Sequence, residues 1–190
     1  TFYNNTGLKS IYTETSIGSW NDGRNLNGKL CGEFNWSGLR ALQNQSSAFI
    51  AWNLLLDYNG RPTTLSNSTV YGNIEIDPSS YALSTVRYNR DYYIICHLSS
   101  VIRPGAVRCD YIENGVPRDD WDFNYVALRN SDGTTAFVIS NKTSVEKHIN
   151  LAPLSIVFEY VLITNIRESF AKFQKKLLYF FYQSRFKFSF

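Results

Sequence analysis

The sequence contains no methionine in 190 residues and opens on Thr1, which leads to the expectation that it is a fragment of a longer chain. No charged stretch followed by an apolar core marks a signal peptide at its start, and no run of eighteen apolar residues marks a membrane span. Cys31, Cys96 and Cys109 are scattered without CxxC spacing, which argues against a zinc site or a dense disulfide framework. One disulfide plus a free thiol remains open. His97 and His148 have no serine or cysteine at an informative spacing, so a hydrolase triad has no support, and both read as structural or surface histidines. Asp119, Asp120 and Asp122 lack the glycine and glutamate spacing of an EF-hand and read as a solvated loop. No motif calls for a metal or cofactor.

A one-signed field is also missing. The formal charge of +3 comes from the C-terminal end, where Arg167, Lys172, Lys175, Lys176, Arg185 and Lys187 face Glu168 alone. The other 166 residues carry 13 basic and 15 acidic groups, which is no nucleic-acid footprint. The basic aromatic segment 166–190 reads as a tail outside any packed domain, with peripheral contact to acidic lipid as the sharper alternative.

Aromatics, by contrast, make up 16% of the chain and suit both strand cores and flat platforms for sugar rings. Sequons begin at Asn4, Asn35, Asn44, Asn67 and Asn141, and they carry the expectation of a secreted or lysosomal protein.

Periodicity gives the organisation. Leu8 to Tyr12 alternates as a strand running toward a loop rich in Gly, Asn and Asp, with Glu14 expected where strand becomes loop. Glu33 to Ser46 reads as a helix with Phe34, Leu39 and Leu42 near one face. Ala48 to Leu56 reads as a strand buried on both faces, ended by turn residues Asp57 to Pro62. No firm element is expected from Arg61 to Asn89. Arg90 to Val101 reads as a buried helix or two short strands, stopped by Arg103-Pro104-Gly105. Beyond it the pattern is all-β: Ala106 to Glu113, Asp122 to Asn130, Thr135 to Ser140 and Val145 to Leu151, with a hairpin at Ser131-Asp132-Gly133-Thr134 and a further strand in Ser155 to Thr164. The boundaries expected are 1–103 for a β/α part, 104–165 for a β-sandwich and 166–190 for the tail.

Three ordered pieces resemble glycoside hydrolase family 30, the glucosylceramidase-like family. They are Thr13-Glu14-Thr15-Ser16-Ile17-Gly18-Ser19-Trp20; Ala51-Trp52-Asn53-Leu54-Leu55-Leu56-Asp57 with Gly60 and Pro62; and Tyr92-Tyr93-Ile94-Ile95-Cys96-His97-Leu98-Ser99 with Arg103-Pro104-Gly105-Ala106. Ala127 to Gly133 resembles the family's sandwich hairpin. The resemblance covers about residues 8 to 150. It implies the last strands and helices of a (β/α)8 TIM barrel, entering at the seventh strand, followed by a β-sandwich domain.

By the same resemblance, Glu14 matches the family's catalytic nucleophile, and Ser16, Trp20, Trp52 and Asn67 match or lie beside its substrate-binding positions. Asn67 is also a sequon asparagine, which sets a glycan against a pocket role there. Retaining hydrolysis of a glycoside needs a second carboxyl group roughly 5 Å from the nucleophile, to protonate the leaving oxygen and later activate water. The family supplies it from an Asn-Glu pair, and these 190 residues contain no such pair. The remaining glutamates, Glu75 among them, are expected in helix, loop or sandwich positions. The fragment alone is therefore expected to be inactive, and its parent a retaining β-glucosidic hydrolase acting on a glucoside such as glucosylceramide. The alternatives are an endo-β-1,6-glucanase of the same family, a non-catalytic carbohydrate-binding sandwich module, and the product of an incomplete gene model.

Overall fold

A computed structural model describes residues 5–26, 34–66, 68–109, 122–143, 145, 147–150, 158–164 and 186–189, the last three segments and Asn35 as backbone only. Strand β1 (Ser10–Gly18) runs parallel to β2 (Ser46–Trp52), and the short β4 (Val70–Tyr71) pairs antiparallel with the end of β1, giving a three-stranded sheet ordered β2-β1-β4. The connection between β1 and β2 ends in helix α1, wound as a π-helix over Phe34–Leu39 and as an α-helix over Arg40–Gln43. Strand, helix, parallel strand is the β/α unit expected. Parallel neighbours cannot be joined by a tight hairpin, so the chain must cross over a face of the sheet to return.

The apolar run after α1 does not form one strand. The β2 strand stops at Trp52, and β3 (Leu55–Asp57) joins a second sheet in parallel with β5 (Ile74–Ile76), which pairs antiparallel with β6 (Arg87–Tyr88). Nor is the run buried on both faces: Ile50, Trp52, Leu54 and Leu55 are all exposed. The reason is that a side chain's burial depends on what packs over its face, and these four side chains are about half or more open to solvent. The stretch 61–89, expected to be irregular, contributes the three short strands β4, β5 and β6.

Helix α2 (Arg90–Val101) forms as expected and buries Ile94, Leu98 and Val101 on one side, a three- and four-residue spacing. These side chains meet Phe34 and Leu39 of α1 and, from the all-β half, Val126, Leu128, Ala136 and Val138. The core thus crosses residue 104. A four-stranded sheet ordered β11-β9-β8-β7 supplies its other wall, from β7 (Val107–Arg108), β8 (Phe123–Arg129), β9 (Thr135–Asn141) and β11 (Phe158–Thr164). The β8-β9 hairpin turns at residues 131–134 as expected, with Arg129 opposite Thr135.

Buried Asn130 fastens this hairpin to α2. Its amide donates to the Val101 carbonyl at 2.9 Å and to Thr134 Oγ1 at 3.0 Å, while its oxygen accepts from Arg103 N–H at 3.0 Å. Gln43 makes a similar tie from α1, donating to Tyr125 O at 2.8 Å and to the Asn124 side chain. Each tie satisfies polar groups that would otherwise be left dry, a cost of about 1–3 kcal/mol apiece.

Within the segment expected to stand apart, β12 (Phe186–Ser189) pairs in parallel with β10 (Lys147–Asn150). Cys96 and Cys109 are free, and Cys31 lies outside the described residues, as do Asp119 and Asp120. No helix among the described residues is long and apolar enough to cross a membrane.

Candidate functional site

Glu14 does not sit at the mouth of its strand, because β1 continues four residues further to Gly18. Its place is set instead by a break in the pairing with β2. Tyr12 pairs with Phe49 and Thr15 with Ala51, so three steps along β1 match two along β2. The extra residue falls at Thr13-Glu14, and both are exposed while Thr15 and Ile17 beyond them are buried. A bulge of this kind re-aims a side chain without ending the sheet. The stacked rings of Tyr12 and Phe49, centroids 5.7 Å apart, fix the register just before it. Among the described residues Glu14 has no ion-pair partner, so its carboxylate is open to solvent and to a ligand.

Beyond the bulge the sheet brings the other expected residues together. Ser16 pairs with Trp52 across β1 and β2, and Gly18 follows two residues on. The Trp20 ring folds back over Gly18, where a Cβ would strike both the ring and the Thr69 carbonyl. Only glycine fits at 18. Trp20 and Trp52 are 56% and 54% exposed, unusual for indoles that have a core available, and each presents an open aromatic surface. The Trp52-Asn53 peptide is cis. Asn67 lies outside the described residues, although its neighbour Thr69 accepts a hydrogen bond from Ser19 N–H at 3.0 Å.

The loop that carries Trp20 is held by two guanidinium groups. Arg24 donates from Nε and Nη2 to the two oxygens of Glu75 at 2.9 and 2.8 Å, donates also to Tyr58 O, and lies 3.9 Å over the Tyr71 ring. Glu75 is fully buried on β5, so the loop assignment for this glutamate is corrected. The Glu75 carboxylate raises the pKa of Arg24, chiefly through the hydrogen bond. From the other side, buried Arg90 donates to Asn21 O at 2.8 Å and pairs with Asp91 at 3.3 Å, while its backbone N–H reaches Gly23 O. A planar fork is the side chain suited to such two-point fixation.

Sequence reasoning missed Arg24, Glu75 and Arg90. The signal was the alternation Ile74-Glu75-Ile76, which places a carboxylate where a strand side chain turns inward and so requires a cation nearby. His97 was expected as a structural histidine. It lies half-buried on α2 with no side-chain hydrogen bond among the described residues, and burial lowers its pKa to about 4. The side chain of His148 lies outside the description. Among the described residues no cluster of His, Cys, Asp or Glu could hold a metal ion.

No family model matches the chain, and no curated protein matches it. Among solved structures it is similar to the endo-beta1,6-glucanase BT3312, with a TM-score of 0.64 and 36% sequence identity over 77% of this chain. The matched part amounts to 32% of that structure, so the chain spans about a third of its length. This likeness agrees with the resemblance to glycoside hydrolases read from the sequence and does not extend to glucosylceramidase in particular.

Proposed function

We propose that the chain carries the nucleophile side of a retaining β-glycosidase site, with β-1,6-linked glucan as the substrate class. The observation that carries this reading is the 36% identity to an endo-β-1,6-glucanase over a stretch that includes most of the chain. It favours the glucanase over glucosylceramide. The local geometry is compatible: an open carboxylate at a strand bulge, with Ser16 and Trp52 side by side two residues further along.

In this reading β1 and β2 are the last two strands of a (β/α)8 barrel, and the β7-β8-β9 sheet belongs to its sandwich. The Glu14 carboxylate attacks the anomeric carbon, and the glycosidic C–O bond breaks as a second carboxylic acid protonates the departing oxygen. That acid then deprotonates a water, which cleaves the glycosyl ester and frees Glu14. Trp20 and Trp52 stack on sugar rings, Ser16 hydrogen-bonds beside the nucleophile, and Asn67 adds a polar contact. The acid/base carboxyl comes from outside these residues, so the chain alone is inactive. The sequons favour a secreted or lysosomal setting.

The test is a chimera in which this chain replaces the matching third of the endo-beta1,6-glucanase BT3312. The chimera should hydrolyse β-1,6-glucan and spare glucosylceramide, and Glu14→Gln should lower turnover by about 10³-fold or more, the scale of losing an essential carboxylate. Full turnover by the Gln variant would remove Glu14 from the mechanism.

A further inference from the structure

Two sequon asparagines have their side chains fully described, and their surroundings are opposite. Asn141, in Asn141-Lys142-Thr143, is 2% exposed. Its amide donates to Val145 O at 3.0 Å, and its oxygen accepts from Thr143 N–H at 3.0 Å and from Thr143 Oγ1 at 2.7 Å. The sequon is closed on itself as a turn at the end of β9, and the threonine hydroxyl is already committed to the asparagine oxygen.

Asn44, in Asn44-Gln45-Ser46, is exposed at the C-terminal end of α1. Gln45, at φ 64°, turns the chain sharply away from the helix, so the asparagine stands at a corner between two elements. One amide hydrogen of Asn44 Nδ2 is donated to Arg40 O at 2.8 Å, and the other has no acceptor among the described residues. A glycosylated asparagine keeps one amide hydrogen, which can serve the bond to Arg40.

We propose that Asn44 is an N-glycan acceptor of this protein, and that Asn141 is closed to glycosylation in the folded chain. The step joins Nδ2 of Asn44 to C1 of an oligosaccharide carried on a lipid pyrophosphate. The C1–O bond to the pyrophosphate breaks with its electron pair leaving on the lipid phosphate, and one amide proton is released. The same atom at Asn141 is buried, so a sugar there excludes the native turn.

The location gives the glycan a consequence. Ser46 pairs with Ser10 at one end of the β1-β2 pair, and Trp52 pairs with Ser16 at the other. Six residues of strand separate the two ends by about 20 Å. A glycan on Asn44 therefore covers the end of the sheet away from Glu14 and leaves the candidate site open. The proposal requires passage through the secretory pathway and is independent of the glycosidase reading.

The test is expression of the full chain behind a secretion signal in cultured animal cells, with an added C-terminal Asn-Gly-Thr sequon that reports entry into the lumen. Asn4, Asn35 and Asn67 are replaced by Gln, and occupancy is mapped by enzymatic deglycosylation in heavy-oxygen water and mass spectrometry, on retained and secreted chains alike. Asn44 should be occupied and Asn141 empty in secreted chains, and Asn44→Gln or Ser46→Ala should each remove one glycan. An empty Asn44 in chains whose reporter is occupied overturns the proposal, and so does a secreted chain glycosylated at Asn141.

Discussion

Two parts of the molecule use the same kinds of residue in opposite ways. Between α1, α2 and the β8-β9 hairpin, Phe34, Leu39, Ile94, Val126 and Val138 are completely buried, with Gln43 and Asn130 bonding across the joint. In the β2-β1-β4 sheet, which carries Glu14, the side chains of Ile11, Ile50 and Trp52 are about half exposed. The difference teaches that the closed part is self-sufficient in packing, whereas the sheet bearing the candidate site holds apolar surface in reserve for other atoms, whether further strands or sugar rings. Phe34→Ala should therefore cost about 3–5 kcal/mol, while Ile50→Ala changes stability by no more than about 0.5 kcal/mol. Thermal or urea unfolding of the two variants checks this, and equal losses would erase the distinction.

The closed part should also be the acid-sensitive one. His97 titrates near pH 4 in the folded chain because burial disfavours its charged form, against 6.5 for an unburied imidazole. On acidification the unfolded chain takes up the proton first. The stability gained from keeping His97 neutral is thus complete above about pH 6.5 and is lost as pH falls toward 4, up to about 3 kcal/mol. Unfolding free energy measured from pH 7 to pH 4 should show this slope, and His97→Gln should flatten it. An unchanged slope in the variant would assign the acid sensitivity elsewhere.

Where the Trp20 loop meets β5, Arg24 is partly exposed and Glu75 is not, with side-chain exposures of 37% and 0%. Arg24→Ala leaves a buried carboxylate without its bidentate partner and should cost about 1–3 kcal/mol. Arg24→Lys keeps the charge but loses the fork and the stacking on Tyr71, and should recover less than half of the loss. Denaturant midpoints of the three chains decide between a charge effect and a geometric one.

Much of this was legible from local pattern. The three- and four-residue spacing of Ile94, Leu98 and Val101 has a helical reading that needs no tertiary context, and Ser131 to Thr134 encodes its turn directly. What escaped was set by pairing between distant segments. The bulge at Glu14 exists only as a mismatch between two strands, so β1 alone gives no sign of it and reads as ending early. Ala48 to Leu56 looks fully buried because its composition is apolar, yet its exposure depends on which neighbours are present, and composition is silent on that. Glu75 differs in part: Ile74-Glu75-Ile76 carries a local strand pattern, and only its cation, Arg24, 51 residues away in sequence, is hidden from it.

The finest division between the two parts concerns the indoles. Trp52 lies on the open sheet opposite Ser16, and more than half of its surface is exposed, so little packing depends on it. Trp52→Ala should leave the unfolding free energy within about 0.5 kcal/mol of the parent. If the exposed face is a sugar platform, the same change weakens binding of β-1,6-gluco-oligosaccharides by about 1 kcal/mol, roughly fivefold in Kd. Trp20→Ala supplies the matching change at the other exposed indole. Calorimetric titration of both variants with oligosaccharide, beside their melting curves, separates the roles. A loss of stability without a loss of binding would make these aromatics packing residues, and the open sheet would then await protein rather than sugar.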